Sequence, residues 1–83
     1  MTLDRLPLEQ TGTVSAIRLS DRELGWVRAV GIFEGESISV LRRALFGGPL
    51  HVRTGSGGEF ALDRALASNI DVTEAGETSD ESP

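Results

Sequence analysis

Few residues of this 83-residue chain have the type and spacing that catalysis or metal binding requires. His51 is the only histidine, and it stands between Leu50 and Val52, whose alternation predicts that they point inward and that His51 points outward. A catalytic or metal-bound imidazole needs convergent partners, and no aspartate or glutamate stands at ligand spacing from it. The sequence therefore predicts a surface histidine, no metal site and no bound cofactor.

The serines and the glycine-rich segment also lack the neighbours that would make them reactive. No histidine or lysine stands close to Ser20, Ser56 or Ser68 to activate a hydroxyl nucleophile. Gly55-Ser-Gly-Gly58 lacks the lysine and the strand-to-helix context of a phosphate-binding loop, so a hairpin turn explains it better. The absence of cysteine excludes disulfides, thiolate metal sites and thiol catalysis. We therefore expect that the chain is not an enzyme.

Three aromatic side chains are better suited to contact with another protein. Trp26 lies away from the apolar stripe of a predicted helix, so it either closes the edge of the core or stands partly exposed as a contact residue. Phe33 and Phe46 lie beside glycine turns, where an outward apolar patch can form. We predict a partner-binding contact patch that combines these aromatics with the adjoining turns. Its residues are Trp26, Phe33, Gly35, Phe46, Gly47, Gly48, Pro49 and Leu50.

The elements that position these residues are short and separated by glycine. Five segments of strand length are rich in β-branched residues, and they span 13–19, 37–41, 49–54, 59–62 and 69–73. The first segment alternates only in its first half, which predicts either a β-bulge or burial on both faces. Short strands joined by glycine turns favour a mainly β fold, a small barrel of about five strands.

One helix is expected after the first strand. Ser20 and Glu23 match a capping box, and Gly31 stands where a left-handed residue ends a helix. The apolar stripe between them is formed by Leu24, Val27 and Val30. A second, shorter turn is predicted from Asp63 to Ala67, with Asp63 as its cap.

Charge is distributed unevenly along the chain. There are 8 basic and 13 acidic residues, giving a net charge of −5, which argues against a nucleic-acid partner because such proteins need a basic surface. Residues 74–83 are acidic and carry no large apolar side chain, so we expect a disordered tail after a domain spanning 1–73. No targeting signal or membrane-spanning run is recognisable, and a cytoplasmic location is expected.

Two segments together resemble the ferrous iron transport protein A (FeoA) family. Val30-Gly-Ile-Phe-Glu-Gly35 resembles the family's hydrophobic–Gly–Met/Leu–x–Pro–Gly signature, with Glu34 in place of the proline. Phe46-Gly-Gly-Pro-Leu-His-Val52 resembles its Gly–Gly/Asp–Pro–Leu/Ile entry to the next strand. The resemblance extends from about Leu6 to Thr73 and includes the two closing strands. Asp63 stands where arginine is frequent in the family.

The resemblance implies an SH3-like barrel with the helix inserted after its first strand. It also implies a small cytosolic partner of an FeoB-type, GTPase-linked ferrous iron transporter, which reaches the membrane only through that partner. The family is associated with transition metal ion binding, for which this sequence offers no ligand cluster. The alternative is a free-standing regulatory or adaptor barrel related to the C-terminal domain of iron-dependent repressors. Weak self-association through an open edge strand stays open in either case.

Overall fold

The computed structural model describes residues 1–74, which form a five-stranded antiparallel sheet with one α-helix and two short helical turns. In chain order the elements are a 3-10 turn (Leu3–Arg5), β1 (Thr11–Ile17), α1 (Asp21–Ala29), β2 (Ser37–Arg43), β3 (Leu50–Thr54), β4 (Glu59–Leu62), α2 (Arg64–Ala67) and β5 (Ile70–Glu74). The mainly β fold and the helix after the first strand, both predicted from the sequence, are confirmed.

The strands lie in the order β4-β3-β2-β1-β5, so β1 pairs with both a near and a distant segment of the chain. β1 breaks register between Val14 and Ala16, and β2 does so between Val40 and Arg42. A bulge bends its strand and increases the local twist, so both irregularities curve the sheet around its core. Of the two alternatives predicted for the first strand, a bulge or burial on both faces, the structure shows the register shift of a bulge.

The core is made of thirteen buried apolar side chains, which come from all five strands, both helices and the segments next to them. Leu3 and Leu6 belong to it and are completely buried, although the sequence predicted no core role for the first residues. Met1 holds this segment in place by exchanging backbone hydrogen bonds with Val72, at 2.7 and 3.2 Å. The N-terminal segment is therefore part of the packed domain.

Helix α1 begins with the predicted capping box. The Ser20 hydroxyl accepts a hydrogen bond from the Glu23 backbone N–H at 3.3 Å, and the Ser20 backbone N–H donates to the Glu23 carboxylate at 3.4 Å. Gly31 follows the helix with φ 104°, a left-handed conformation that glycine adopts at little cost. Of the predicted stripe, Val27 is completely buried and the other two members are partly buried against the core. The helix therefore covers the sheet with one narrow face.

The sequence predicts the cap of α2 correctly, but it places the end of β5 one residue too early. Asp63 caps α2 by accepting a hydrogen bond from the Ala65 backbone N–H at 3.1 Å, as predicted. Glu74, the first residue of the predicted tail, is the last residue of β5 and pairs with Gly12. The remainder of the predicted tail, 75–83, lies outside the described residues.

Candidate protein-binding site

The β2–β3 loop, residues 44–49, carries the most exposed large apolar side chains among residues 1–74. Phe46 has a relative exposure of 101% and Leu45 of 79%. Phe46 also has φ 59°, in the left-handed region that costs a residue other than glycine roughly 1–2 kcal/mol. Strained backbone of this kind is concentrated at functional sites. The loop tip, Leu45 and Phe46, is therefore the first candidate for contact with a partner.

Hydrogen bonds across its base fix the conformation of this loop. The Ala44 N–H donates to the Pro49 carbonyl at 3.0 Å, and the Gly48 N–H donates to the Leu45 carbonyl at 3.1 Å. From α2, the Arg64 guanidinium donates to the carbonyl oxygens of Gly48 and Ala44, at 3.1 and 3.5 Å. A loop that is already ordered loses less conformational entropy when a partner binds. The tip is thus presented in a preorganised form.

Leu50 does not belong to the contact surface, and its inclusion in the predicted patch is wrong. It is the first residue of β3, pairs with Arg43 on one side and Leu62 on the other, and is completely buried. The strand alternation that turns His51 outward turns Leu50 into the core. Pro49 and Gly47, by contrast, are exposed in the loop, and Gly48 is partly exposed.

The predicted patch is divided between the two ends of β2. The Phe33–Gly35 turn precedes β2 and the β2–β3 loop follows it, and a strand of seven residues separates them by about 20 Å. Phe33 is 46% exposed and Gly35 has φ 92°. Gly31, just before this turn, lies against the hairpin between β3 and β4, where a Cβ on this glycine would be 3.3 Å from the Ser56 hydroxyl. The structure therefore does not bring Phe33 beside Phe46.

Trp26 packs at the edge of the core and is also partly exposed. Its ring meets the ring of Phe60 edge to face, with centroids 6.3 Å apart and planes at 87°, which is a favourable aromatic geometry. The side chain nevertheless remains 46% exposed. Trp26 thus packs against β4 and also offers an apolar surface to solvent, away from the β2–β3 loop in the chain.

His51 lies on the outer face of the sheet, as predicted, with a side-chain exposure of 30%. Its Nε2 is 3.4 Å from the Glu59 carboxylate, which also accepts two hydrogen bonds from the Arg53 guanidinium at 2.8 and 3.0 Å. The Arg53 hydrogen bonds, followed by the one from His51, hold the pKa of Glu59 below its ordinary value. Within residues 1–74 no three histidine or acidic side chains come close enough to hold a metal ion. This ion-paired group therefore does not fit a transition metal site.

Two residues of the site were missed by the sequence analysis. Leu45 forms half of the loop tip, and its position directly before Phe46-Gly47-Gly48 was the signal that pointed to it. Arg64 braces the loop from α2, and no local pattern links it to a loop 16 residues away in the chain. Tertiary structure alone brings these two elements together.

A curved five-stranded antiparallel sheet with one helix inserted after its first strand defines a small SH3-like domain. The model of the FeoA domain matches residues 1–74, and the chain belongs to this family of ferrous iron transport. The predicted SH3-like barrel and the resemblance to the FeoA family are both confirmed. Among proteins of curated function, none matches the sequence.

Solved structures of similar fold include FeoA proteins and a repressor. FeoA of Stenotrophomonas maltophilia, complexed with zinc and described as a prokaryotic SH3 domain protein, is 30% identical with a TM-score of 0.70, covering 87% of this chain and 88% of its own. FeoA of Chlorobium tepidum is 24% identical with a TM-score of 0.83, covering 90% and 70%. A manganese-dependent transcriptional repressor, in complex with manganese, is 29% identical with a TM-score of 0.80, covering 89% of this chain and 36% of the repressor. The same barrel is thus found alone and as part of a longer regulator.

Proposed function

We propose that this protein is a cytosolic accessory protein of ferrous iron uptake that acts by contacting an FeoB-type membrane transporter, and that the β2–β3 loop makes this contact. The observation that supports the proposal most strongly is the loop tip, where Phe46 is fully exposed in a strained conformation on a braced loop. Aromatic anchors of this kind are frequent hot spots of protein interfaces. Membership of the FeoA family supports the choice of transporter.

The proposed mode of action is a shift in the transporter's conformational equilibrium, without chemistry on a substrate. A preformed loop that binds one conformation of a partner more tightly than another increases the population of the first. The size of the effect is limited by the ratio of the two affinities. Within residues 1–74 there is no helix with the length and apolar character to cross a membrane. In our proposal, the transporter alone brings the protein to the membrane.

Association with the cytosolic regions of the cognate transporter tests this proposal. Phe46→Ala removes the anchor, and we expect association to weaken by at least about tenfold, as for an interface hot spot. Phe33→Ala is the matched control, because Phe33 is also an exposed aromatic but lies at the other end of β2. This control should bind within about twofold of the wild type. Wild-type association by folded Phe46→Ala protein would show that the loop is not the contact.

A second candidate function is that of a regulatory or adaptor barrel that binds a protein unrelated to transport. The similarity to a manganese-dependent repressor favours it, because there the same barrel is part of a larger regulator. The same association assay separates the candidates when a winged-helix repressor lacking its own barrel is used as the second bait. Preference for the repressor would favour the adaptor function.

A further inference from the structure

An open cavity of about 200 Å³ lies at the base of the β2–β3 loop. We call it the basic cavity, because two arginines and a histidine are among its lining residues and no aspartate or glutamate is. The lining residues are Arg42, Arg43, Ala44, Pro49, Leu50, His51 and Ala61. Since Ala44 and Pro49 are the two ends of the loop, the cavity is continuous with the surface that carries the tip.

Strand register explains why Arg42 and His51 lie side by side. Arg42 of β2 stands opposite His51 of β3, and His51 stands opposite Ala61 of β4, so the three residues form one row across the sheet. The small Ala61 side chain leaves this end of the row open. Arg43, the next residue of β2, donates hydrogen bonds from its guanidinium to the backbone carbonyls of the N-terminal segment, at 2.5 and 3.1 Å. Arg43 stands opposite the buried Leu50, so its guanidinium is directed to those carbonyls and away from the row of Arg42 and His51.

The Arg42 side chain is exposed and makes no hydrogen bond or ion pair with any residue of the described part of the chain. The acidic partner of His51, Glu59, is shared with Arg53. Arg42 is thus an unpaired positive charge at the cavity, on a protein whose net charge is −5. Such a site attracts an anionic group, while the remaining surface repels anions and so restricts where an acidic partner can bind.

The loop tip lies close to this cavity. Phe46 is two residues beyond Ala44, so their Cα atoms are at most about 7 Å apart. An extended peptide covers that distance in two to three residues. We propose that the partner segment bound by this loop is an extended acidic peptide, whose carboxylate enters the basic cavity while an apolar side chain two or three positions away packs on Leu45 and Phe46. This inference rests on the proposed function, since it names the chemistry of the segment that the loop recognises.

The shape of the cavity favours a peptide over an anionic membrane. A concave site of about 200 Å³ accepts a single side chain, whereas a lipid surface is broad and would meet the whole acidic molecule. The arrangement of a charged pocket beside an apolar tip also sets the direction and register of a bound segment.

Selection from a random peptide display library on the full chain tests the inference. We expect enrichment of peptides with aspartate or glutamate two or three positions from a large apolar residue. Binding of a selected peptide should weaken about tenfold in Arg42→Gln and by less than about twofold in Arg28→Gln, a control in which another exposed arginine is neutralised. Arg42→Glu should prefer the same peptide with its acid changed to lysine. The affinity should also fall as salt is raised, because a partly exposed ion pair is screened.

Several outcomes would overturn the inference. These are the selection of no peptide, the selection of peptides without an acidic residue, and equal binding by Arg42→Gln and the wild type. Binding to phosphatidylglycerol vesicles that depends on Arg42, without peptide binding, would identify a membrane site instead. If Phe46→Ala loses transporter association but Arg42→Gln keeps it, the acidic-segment inference fails and the proposed function stands. If both variants associate as the wild type does, the proposed contact itself fails.

Discussion

Truncation of Phe46 should affect partner binding, whereas truncation of Leu50 should affect the stability of the domain. Phe46 is completely exposed, so Phe46→Ala removes no buried surface, and the free energy of unfolding should change by no more than about 0.5 kcal/mol. Leu50, four residues later, is completely buried, and Leu50→Ala should cost about 2–5 kcal/mol through lost burial and the cavity that remains. A binding defect in Phe46→Ala would therefore reflect a lost contact, whereas one in Leu50→Ala would also reflect lost stability.

The size of the Leu50 effect is large for a domain of this length. At about 0.05–0.15 kcal/mol per residue, an 83-residue chain has a stability of only about 4–12 kcal/mol. Each kcal/mol lowers the midpoint of thermal unfolding by roughly 4–8 °C in domains of this size. Leu50→Ala should therefore lower Tm by at least about 8 °C and unfold a measurable fraction of the protein in the least stable case.

Thermal unfolding followed by circular dichroism measures both variants under one set of conditions. We expect Phe46→Ala to unfold within about 3 °C of the wild type. A decrease of more than about 5 °C would refute the reasoning, because it would mean that the Phe46 side chain packs against the domain in solution. An unchanged Tm for Leu50→Ala would equally contradict its position in the core.

Three further predictions concern stability. Gly25→Ala should raise the free energy of unfolding by up to about 1 kcal/mol, because a Cβ at this helix position meets no atom within 4 Å; a lower urea midpoint would contradict this. Gly48→Ala should cost about 1–3 kcal/mol in the same titration, since its Cβ would lie 2.8 Å from that of Ala44, and an unchanged midpoint would show that the loop yields freely. Because hydrogen bonds from Arg53 lower the pKa of Glu59 from 4.5, the stabilisation from this pair is present above pH 4.5 and is lost as the pH falls through the folded-state pKa. Glu59→Gln should therefore lose less stability on acidification than the wild type, and Tm measured across this pH range checks it.

Local sequence signals were sufficient for the elements whose boundaries depend on local chemistry. The capping box at Ser20 and the cap at Asp63 both form, and the segment 59–62 forms β4 with the predicted bounds. β2 extends to Arg43, two residues beyond its predicted end, because a bulge after Val40 changes which side chains face the core. Alternation cannot be followed through such a register shift.

Local sequence patterns do not predict features that depend on contacts between distant segments of the chain. Leu3 and Leu6 show neither strand nor helix periodicity, and they are buried because the N-terminal segment pairs with β5. For Leu50, strand alternation and proximity to the loop gave opposite predictions, and alternation was right. The turns that carry Phe33 and Phe46 are local features of the sequence, whereas their separation is set by the seven residues of β2.

The order of the strands also has a consequence for how the protein folds. Strands β2, β3 and β4 form two hairpins from neighbouring segments, whereas β1 must find β5 with pairs such as Gly12 and Glu74. Closing so long a stretch of chain is entropically costly, and topologies of this kind fold slowly, in milliseconds to seconds. We expect the meander of β2, β3 and β4 to organise first and the β1–β5 pairing to complete folding. Because that closure limits the rate, substitutions in β5 should slow folding more than they accelerate unfolding.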